Sequence, residues 1–338
     1  MRLLLVAAAL AALSIVGCAK EEHAPGGTGD AAGAPKSIKL TMVAKSSTNP
    51  FFLSCRTGAE EAAKALSEQH EIPIVLDWRT PPKEDGQIQA QEIAKGVNEG
   101  AQGVLVAVSD AAKVKGAIDE AVSRGVHVVT FDSDVPESKR LTFIGCDNTE
   151  MGRQVMQELA DLTKGKANVA ILAGNQNAPN LKLRVDGVKE IAAKYPGIKI
   201  VGTFYNEESP QGGTAEVIRV MNAYPEVDAW AMIGGWPLFA PALLETLDPA
   251  KVRVVSADAL PEQLEYVERG VAPVLVAQRS YDYGYRSVEV LVEKILNGVD
   301  PEPVINPELT KVTKANLREW AAQLKEWGFT NVNEKFLR

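Results

Sequence analysis

Nine short runs rich in valine, isoleucine and leucine recur along the chain: IKLTMVA (38–44), IPIVLDW (72–78), GVLVAVS (103–109), VHVVTFD (126–132), ANVAILAG (167–174), IKIVGTFY (198–205), AWAMIGG (229–235), VRVVSAD (252–258) and VLVAQ (274–278). They lack the apolar–polar alternation of a strand with one wet face, and so predict strands buried on both faces, as in parallel sheets covered by helices. Stretches with apolar residues at three- and four-residue spacing separate several of them, such as 58–69, 88–100, 114–125, 151–165, 185–195 and 283–298, with glycine near several C-termini. Strand and helix in alternation imply a doubly wound α/β fold with right-handed crossovers.

The rhythm breaks once. TFIGCDN (142–148) interrupts it after the fourth strand–helix unit, and a second series begins at Met151. With 338 residues, 46% of them hydrophobic, the chain can support two cores at roughly 100–200 residues per domain. The halves share a rhythm without a close sequence repeat, so two similar α/β lobes are expected. The 36 basic and 44 acidic residues give a net charge of −8 with no basic block, which leaves no footprint for nucleic acid.

The N-terminus, MRLLLVAAALAALSIVGCAKEE, pairs Arg2 with an apolar run, Leu3 to Val16, that is too short for a stable membrane span and reads as a targeting segment. Its end, Ile15-Val16-Gly17-Cys18, resembles the lipobox of bacterial lipoprotein precursors. The resemblance implies a signal peptide over residues 1–17, lipidation of Cys18, and a body that meets the membrane only through that anchor. Residues 18–36, rich in Gly, Ala and Pro with scattered charges, have the composition of a flexible linker.

In open parallel sheets the ligand crevice lies beyond the carboxyl ends of the strands. Nearly every run here ends in hydrogen-bonding side chains: Ser46 and Asn49, Asp77, Ser109 and Asp110, Asp132 and Ser133, Asn175, Asn206 to Glu208, Asp258 and Gln278. Helix capping accounts for any one of them, Asp110 and Asn148 in particular. It does not account for the rings and charge on the same edge: Phe51, Phe52, Trp78, Trp236, Tyr281, Tyr283 and Arg184. A sugar offers hydroxyls that donate and accept, suited to Asp, Asn, Gln and Arg, and C–H faces that pack on aromatic rings. Pro50 suits the first turn of a helix, so Phe51 and Phe52 are expected to form one wall of a cleft for a small polyhydroxy ligand.

The stretches TNPFFLSCRTGAEEAAKAL, TFDSD, CDNTEMGRQVMQEL, LRVDGVKEI, VVSADALPE and VAQRSYDYGYRSVEVL resemble the ribose-binding protein family of type I periplasmic binding proteins, the solute receptors of ABC importers. The likeness runs with gaps from about Ile38 to about Thr313. It implies two doubly wound parallel-sheet lobes joined by a three-strand hinge, with 37–146 plus 279–305 in the N-terminal lobe and 147–278 plus 306–338 in the C-terminal lobe. It also implies ligand contacts at Asn49, Phe51, Phe52, Asp132, Arg184, Asp258 and Gln278. Two departures reshape the pocket: Ser133 stands where ribose-binding members carry arginine, and Gly234-Gly235-Trp236-Pro237 replaces a frequent Asn-Asp. Ser133 and Trp236 are therefore added to the expected contacts.

The implied protein is a monomeric receptor for a monosaccharide, in the periplasm or at the cell surface, that delivers its ligand to the permease of an ABC importer. A receptor of the same fold for a polyol, nucleoside or furanosyl signal, working with a sensor kinase, stays open. A transcription factor built on these lobes would need an N-terminal helix-turn-helix where this chain carries its targeting segment. His23, His70 and His127 form no zinc-ligand cluster, and no nucleophile elbow, phosphate-binding glycine loop or calcium loop is present, so neither catalysis nor a cofactor nor a metal is expected. Beyond Cys18, Cys55 and Cys146 either pair or stay as buried thiols. The tail after Thr313 predicts an amphipathic helix, with Leu317, Trp320, Ala321, Leu324 and Trp327 covering the second lobe.

Overall fold

The computed structural model describes residues 35–338; the signal-segment reading, Cys18 and all but the end of the linker lie outside them. The strands are β1 (Ile38–Val43), β2 (Ile74–Trp78), β3 (Gly103–Val106), β4 (His127–Phe131), β5 (Thr142–Ile144), β6 (Lys166–Ala173), β7 (Gly197–Tyr205), β8 (Ala229–Met232), β9 (Arg253–Ala257), β10 (Val274–Ala277), β11 (Val304–Ile305) and β12 (Thr310–Thr313). The helices are α1 (Pro50–His70), α2 (Gly86–Asn98), α3 (Ala111–Ser123), α4 (Asn148–Leu162), α5 (Pro179–Ala192), α6 (Pro210–Ala223), α7 (Leu264–Glu268), α8 (Ser280–Asn297) and α9 (Leu317–Glu326).

The strands make two six-stranded sheets, in the orders β11-β5-β4-β3-β1-β2 and β12-β10-β9-β8-β6-β7. The two orders are the same pattern. Every pairing is parallel except that of β12 with β10, which is antiparallel. The first sheet with α1, α2, α3 and α8 is lobe one, and the second with α4, α5, α6 and α7 is lobe two. The chain passes between sheets after β5, after β10 and after β11.

The valine- and isoleucine-rich runs are buried on both faces, as their lack of alternation predicts: β3, β8 and β10 have no exposed residue. TFIGCDN, read as an interruption, contains a fifth parallel strand, β5, too short to show periodicity. The helices start on side-chain caps that accept their first N–H groups: Asn49 for α1, Asp85 for α2, Asp110 for α3, Asp147 for α4 and Ser209 for α6. Asp147 therefore holds the position expected of Asn148, whose side-chain oxygen accepts from Arg184 Nε instead.

In lobe one, α1 and α8 touch backbone to backbone, and a β-carbon on Gly284 would lie 1.7 Å from the carbonyl oxygen of Cys55. Cys55 and Cys146 are buried free thiols, not a disulfide. Burial pushes both up, Cys146 to about 11 and Cys55 well above the usual thiol range. Neither is expected to react with a thiol reagent at neutral pH before denaturant is added; modification of the native protein would contradict this burial.

The tail corrects one expectation. Trp320 does cover lobe two, its indole N–H donating to the Ala259 carbonyl at 2.7 Å. Trp327 faces lobe one: it stacks on Tyr281 of α8, ring centroids 5.9 Å apart and planes within 2°, with the Arg279 guanidinium over its ring.

Candidate ligand-binding cleft

The carboxyl ends of both sheets face one cleft. β1 ends before Lys45, and its following loop leads through Asn49 into α1, whose first turn carries Phe51 and Phe52. Asn49 serves two ends: its Oδ1 accepts the Phe51 N–H at 3.0 Å, while the residue also lines the cleft. The two phenyl rings meet edge to face, 5.2 Å between centroids, and both are buried.

Asp132 follows β4 and Asp258 follows β9, the equivalent strands of the two sheets. Both have left-handed backbones, φ +60° and +64°, unusual for residues with a β-carbon and concentrated at functional sites. Each also donates its N–H to the next strand or its neighbour, Asp132 to Ile144 at 3.0 Å and Asp258 to Val276 at 2.9 Å. The same turn in each lobe thus aims one carboxylate at the cleft.

Arg184, on α5, crosses the floor. Its Nε donates to Asn148 Oδ1 at 2.8 Å, Nη1 to the Ile233 carbonyl at 3.0 Å and Nη2 to Gln278 Oε1 at 2.9 Å, with Asp132 at 3.8 Å. Gln278 in turn donates to Asp258 Oδ1 at 2.7 Å, and the Gly235 N–H donates to Asp258 Oδ2 at 3.1 Å. Burial works against the Arg184 charge, but surrounding acidic groups that include Asp132 and Asp258 outweigh it and raise its pKa. Burial raises the Asp258 carboxyl above its usual range, partly offset by Arg184, Gln278 and Gly235. The Gly234-Gly235 pair lets the next turn fold close: a β-carbon on Gly234 would lie 2.3 Å from the Trp236 indole. Trp236 and Phe239 of that turn complete the aromatic wall.

Eight of the nine residues expected from sequence line one cavity, and Ser133 does not. The turn at Asp132 sends the next side chain away from the cleft, where Ser133 is fully buried and its Oγ has no partner among the described residues. Other strand-end groups also fall elsewhere. Asp77 pairs with Arg79, Trp78 lies under Arg56, Tyr281 stacks on Trp327, and the Tyr283 hydroxyl accepts the Cys146 N–H beneath the floor.

Lys45, Asn180, Leu181 and Phe239 are absent from the contacts expected from sequence, and Glu208 figures there only among the polar residues that end a run; all five border the cavity. Lys45 from lobe one is 1% exposed and donates to Asn180 Oδ1 of lobe two at 3.0 Å, with Asp132 at 3.3 Å. Burial opposes its charge, yet Asp132, Glu84 and Glu208 more than compensate and raise its pKa. Asn180 also donates to Asp132 Oδ2 at 3.3 Å. The walls of the two lobes are thus hydrogen-bonded to each other, around a free volume of about 30 Å³. Position at the end of the first strand-like run was the available signal for Lys45, but a lone lysine there reads as solvated.

A family model described as periplasmic binding protein domain matches residues 40–298. The chain belongs to that family. This periplasmic binding protein is 26% identical over 201 residues to a D-ribose/D-allose-binding protein of Pseudomonas aeruginosa, a match covering 58% of this chain and 62% of that one. It is 24% identical over 260 residues to the ribose import binding protein RbsB of Salmonella typhimurium, covering 77% and 85% of the two chains. Among solved structures, it is similar to an ABC transporter solute-binding protein of Burkholderia graminis in complex with D-arabinose. That match has a TM-score of 0.77 and 28% identity, and covers 83% of this chain and 96% of the other.

Proposed function

We propose that this periplasmic binding protein is an extracytoplasmic receptor that closes its two lobes on a neutral monosaccharide and presents it to an ABC importer, held at the membrane by lipid on Cys18. The observation that carries the reading is a cleft in which aromatic rings from both lobes flank two cations, Lys45 and Arg184, and two carboxylates, Asp132 and Asp258. With a third acid, Glu208, also on the lining, the site offers an anionic guest no net positive field, whereas hydroxyls can accept from the cations and donate to the carboxylates. A sugar acid or sugar phosphate would bring a charge with no counterpart. The relatives named for ribose or allose and the arabinose-bound neighbour support a sugar as that guest.

In this reading 37–146 plus 279–305 and 147–278 plus 306–338 are the moving bodies, and the three crossings are the hinge. A guest exchanges the bonds Lys45 and Asp132 make to Asn180 for bonds to its own hydroxyls, and so remains in contact with both lobes. Contacts donated by both lobes stabilise the closed form selectively.

A thermal-shift panel of pentoses, hexoses, polyols and nucleosides tests the reading, since a tight ligand at a thousandfold excess over Kd adds about 4 kcal/mol of stability. At least one neutral monosaccharide is expected to raise Tm, with compaction in small-angle scattering. A shift from nucleosides or polyols alone would replace the sugar by that class.

A further inference from the structure

The mouth of the cleft holds a second cavity, of about 560 Å³, with walls from both lobes: Ser46, Thr48 and Glu84 on one side, Asn175, Asn206 and Glu208 on the other. One asparagine braces both acids. The Asn175 N–H donates to Glu208 Oε1 at 2.8 Å, and its Nδ2 donates to Glu84 Oε2 at 3.4 Å. Glu84 Oε1 is buried and has no partner among the described residues. Glu208 sits on a left-handed backbone, φ +57°, with its N–H held by Asn206 Oδ1 at 2.8 Å, so the inward aim of its carboxyl is imposed by its surroundings.

We propose that the lobes close by taking up one proton, held between the carboxyl groups of Glu84 from lobe one and Glu208 from lobe two, so that capture of a ligand strengthens as the pH falls. This rests on the reading that the lobes open and close around a guest. Two carboxylates brought together cannot both stay ionised, and a proton between them supplies the donor that Glu84 Oε1 lacks. Burial first, and Glu84 next, hold the Glu208 carboxyl well above the usual carboxylate range against the pull of Lys45. The other charged groups at the pair are committed or exposed. Lys45 is shared between Asp132 and Asn180, Glu207 is exposed with its carboxylate on the Ser209 hydroxyl, and Lys83 lies at the exposed edge of the same cavity.

The sign follows from the raised acid. Opening separates the carboxyls and returns Glu208 to the ordinary range, so the closed form binds the extra proton more tightly. Its advantage is complete below the ordinary glutamate pKa of about 4.3 and is lost as pH rises through the closed-state value. Inside that window the closed-to-open ratio changes about tenfold per pH unit.

Small-angle scattering of the full chain from about pH 5 to about pH 8 reads this directly, alone and with saturating D-arabinose as probe. The compact fraction is expected to rise toward acid in the wild type. It is expected to be flat in Glu208→Gln and in Glu84→Gln, where an amide N–H permanently replaces the shared proton. A wild type whose compaction ignores pH, or a response that survives in both variants, overturns the proposal. If the pH response is intact but D-arabinose compacts nothing at either end, this sugar, and not the proton, is the part in error.

Discussion

Arg184→Met is expected to abolish the ligand-induced rise in Tm and to cost the unliganded fold about 3–5 kcal/mol, the usual result of removing one partner from a buried charged network. The guanidinium is 3% exposed and donates to Asn148, Ile233 and Gln278, so its loss takes a charged donor from three buried acceptors, of which Gln278 Oε1 keeps the Tyr283 hydroxyl at 3.3 Å. Among the described residues it also leaves Asp132 with Lys45 as its one remaining cation within 4 Å, and it removes one of the donors that hold the Gln278 amide toward Asp258. Chemical denaturation reads the stability, and the thermal-shift panel reads binding. A variant that keeps the full ligand shift would remove Arg184 from the site. Since methionine keeps much of the side-chain volume, a large loss would report polarity and charge more than packing.

Gly284→Val is expected to be the most damaging single change in lobe one. Its β-carbon would lie 1.7 Å from the Cys55 carbonyl, a main-chain atom that cannot swing aside, so α1 and α8 must separate. Overpacking of an interior typically costs 1–3 kcal/mol, and a backbone collision is expected at or above about 3 kcal/mol. The effect reaches the cleft, because α1 presents Asn49, Phe51 and Phe52. Gly116→Ala in α3 is the matched control: nothing lies within 4 Å of its β-carbon position. That change is expected to stabilise by up to about 1 kcal/mol through helix propensity. Urea midpoints for the pair check both signs; equal midpoints would mean that α1 and α8 can move apart at little cost.

The sheets were legible because strands buried on both faces need continuous apolar runs. Three other elements were not: β5 and β11 have too few residues to show a period, and α6, PQGGTAEVIRVMNA, is diluted by two glycines near its start. Asp132 and Asp258 could be found because each ends such a run. Their left-handed backbones could not, because aspartate enters that conformation more readily than most residues with a β-carbon but far less often than glycine, so an aspartate alone does not announce it. Ser133 was misplaced for the same reason, since the turn at Asp132 decides which of two neighbours faces inward. Lys45 and Asn180 belong to opposite lobes, and only the tertiary structure brings them together. Trp327 was read by helical stripe alone, which says that a residue is covered but not by what.

The C-terminal helix touches both halves of the molecule, with Trp320 fastened to Ala259 and Trp327 lying flat on Tyr281. Those final residues therefore tie the loop after β9 in lobe two to the start of α8 in lobe one, and the lobe motion proposed above would have to carry or break these contacts. A purification handle or reporter attached after Arg338 would, under that proposal, load a segment held by both lobes, and the untagged chain is the control for affinities measured on such fusions.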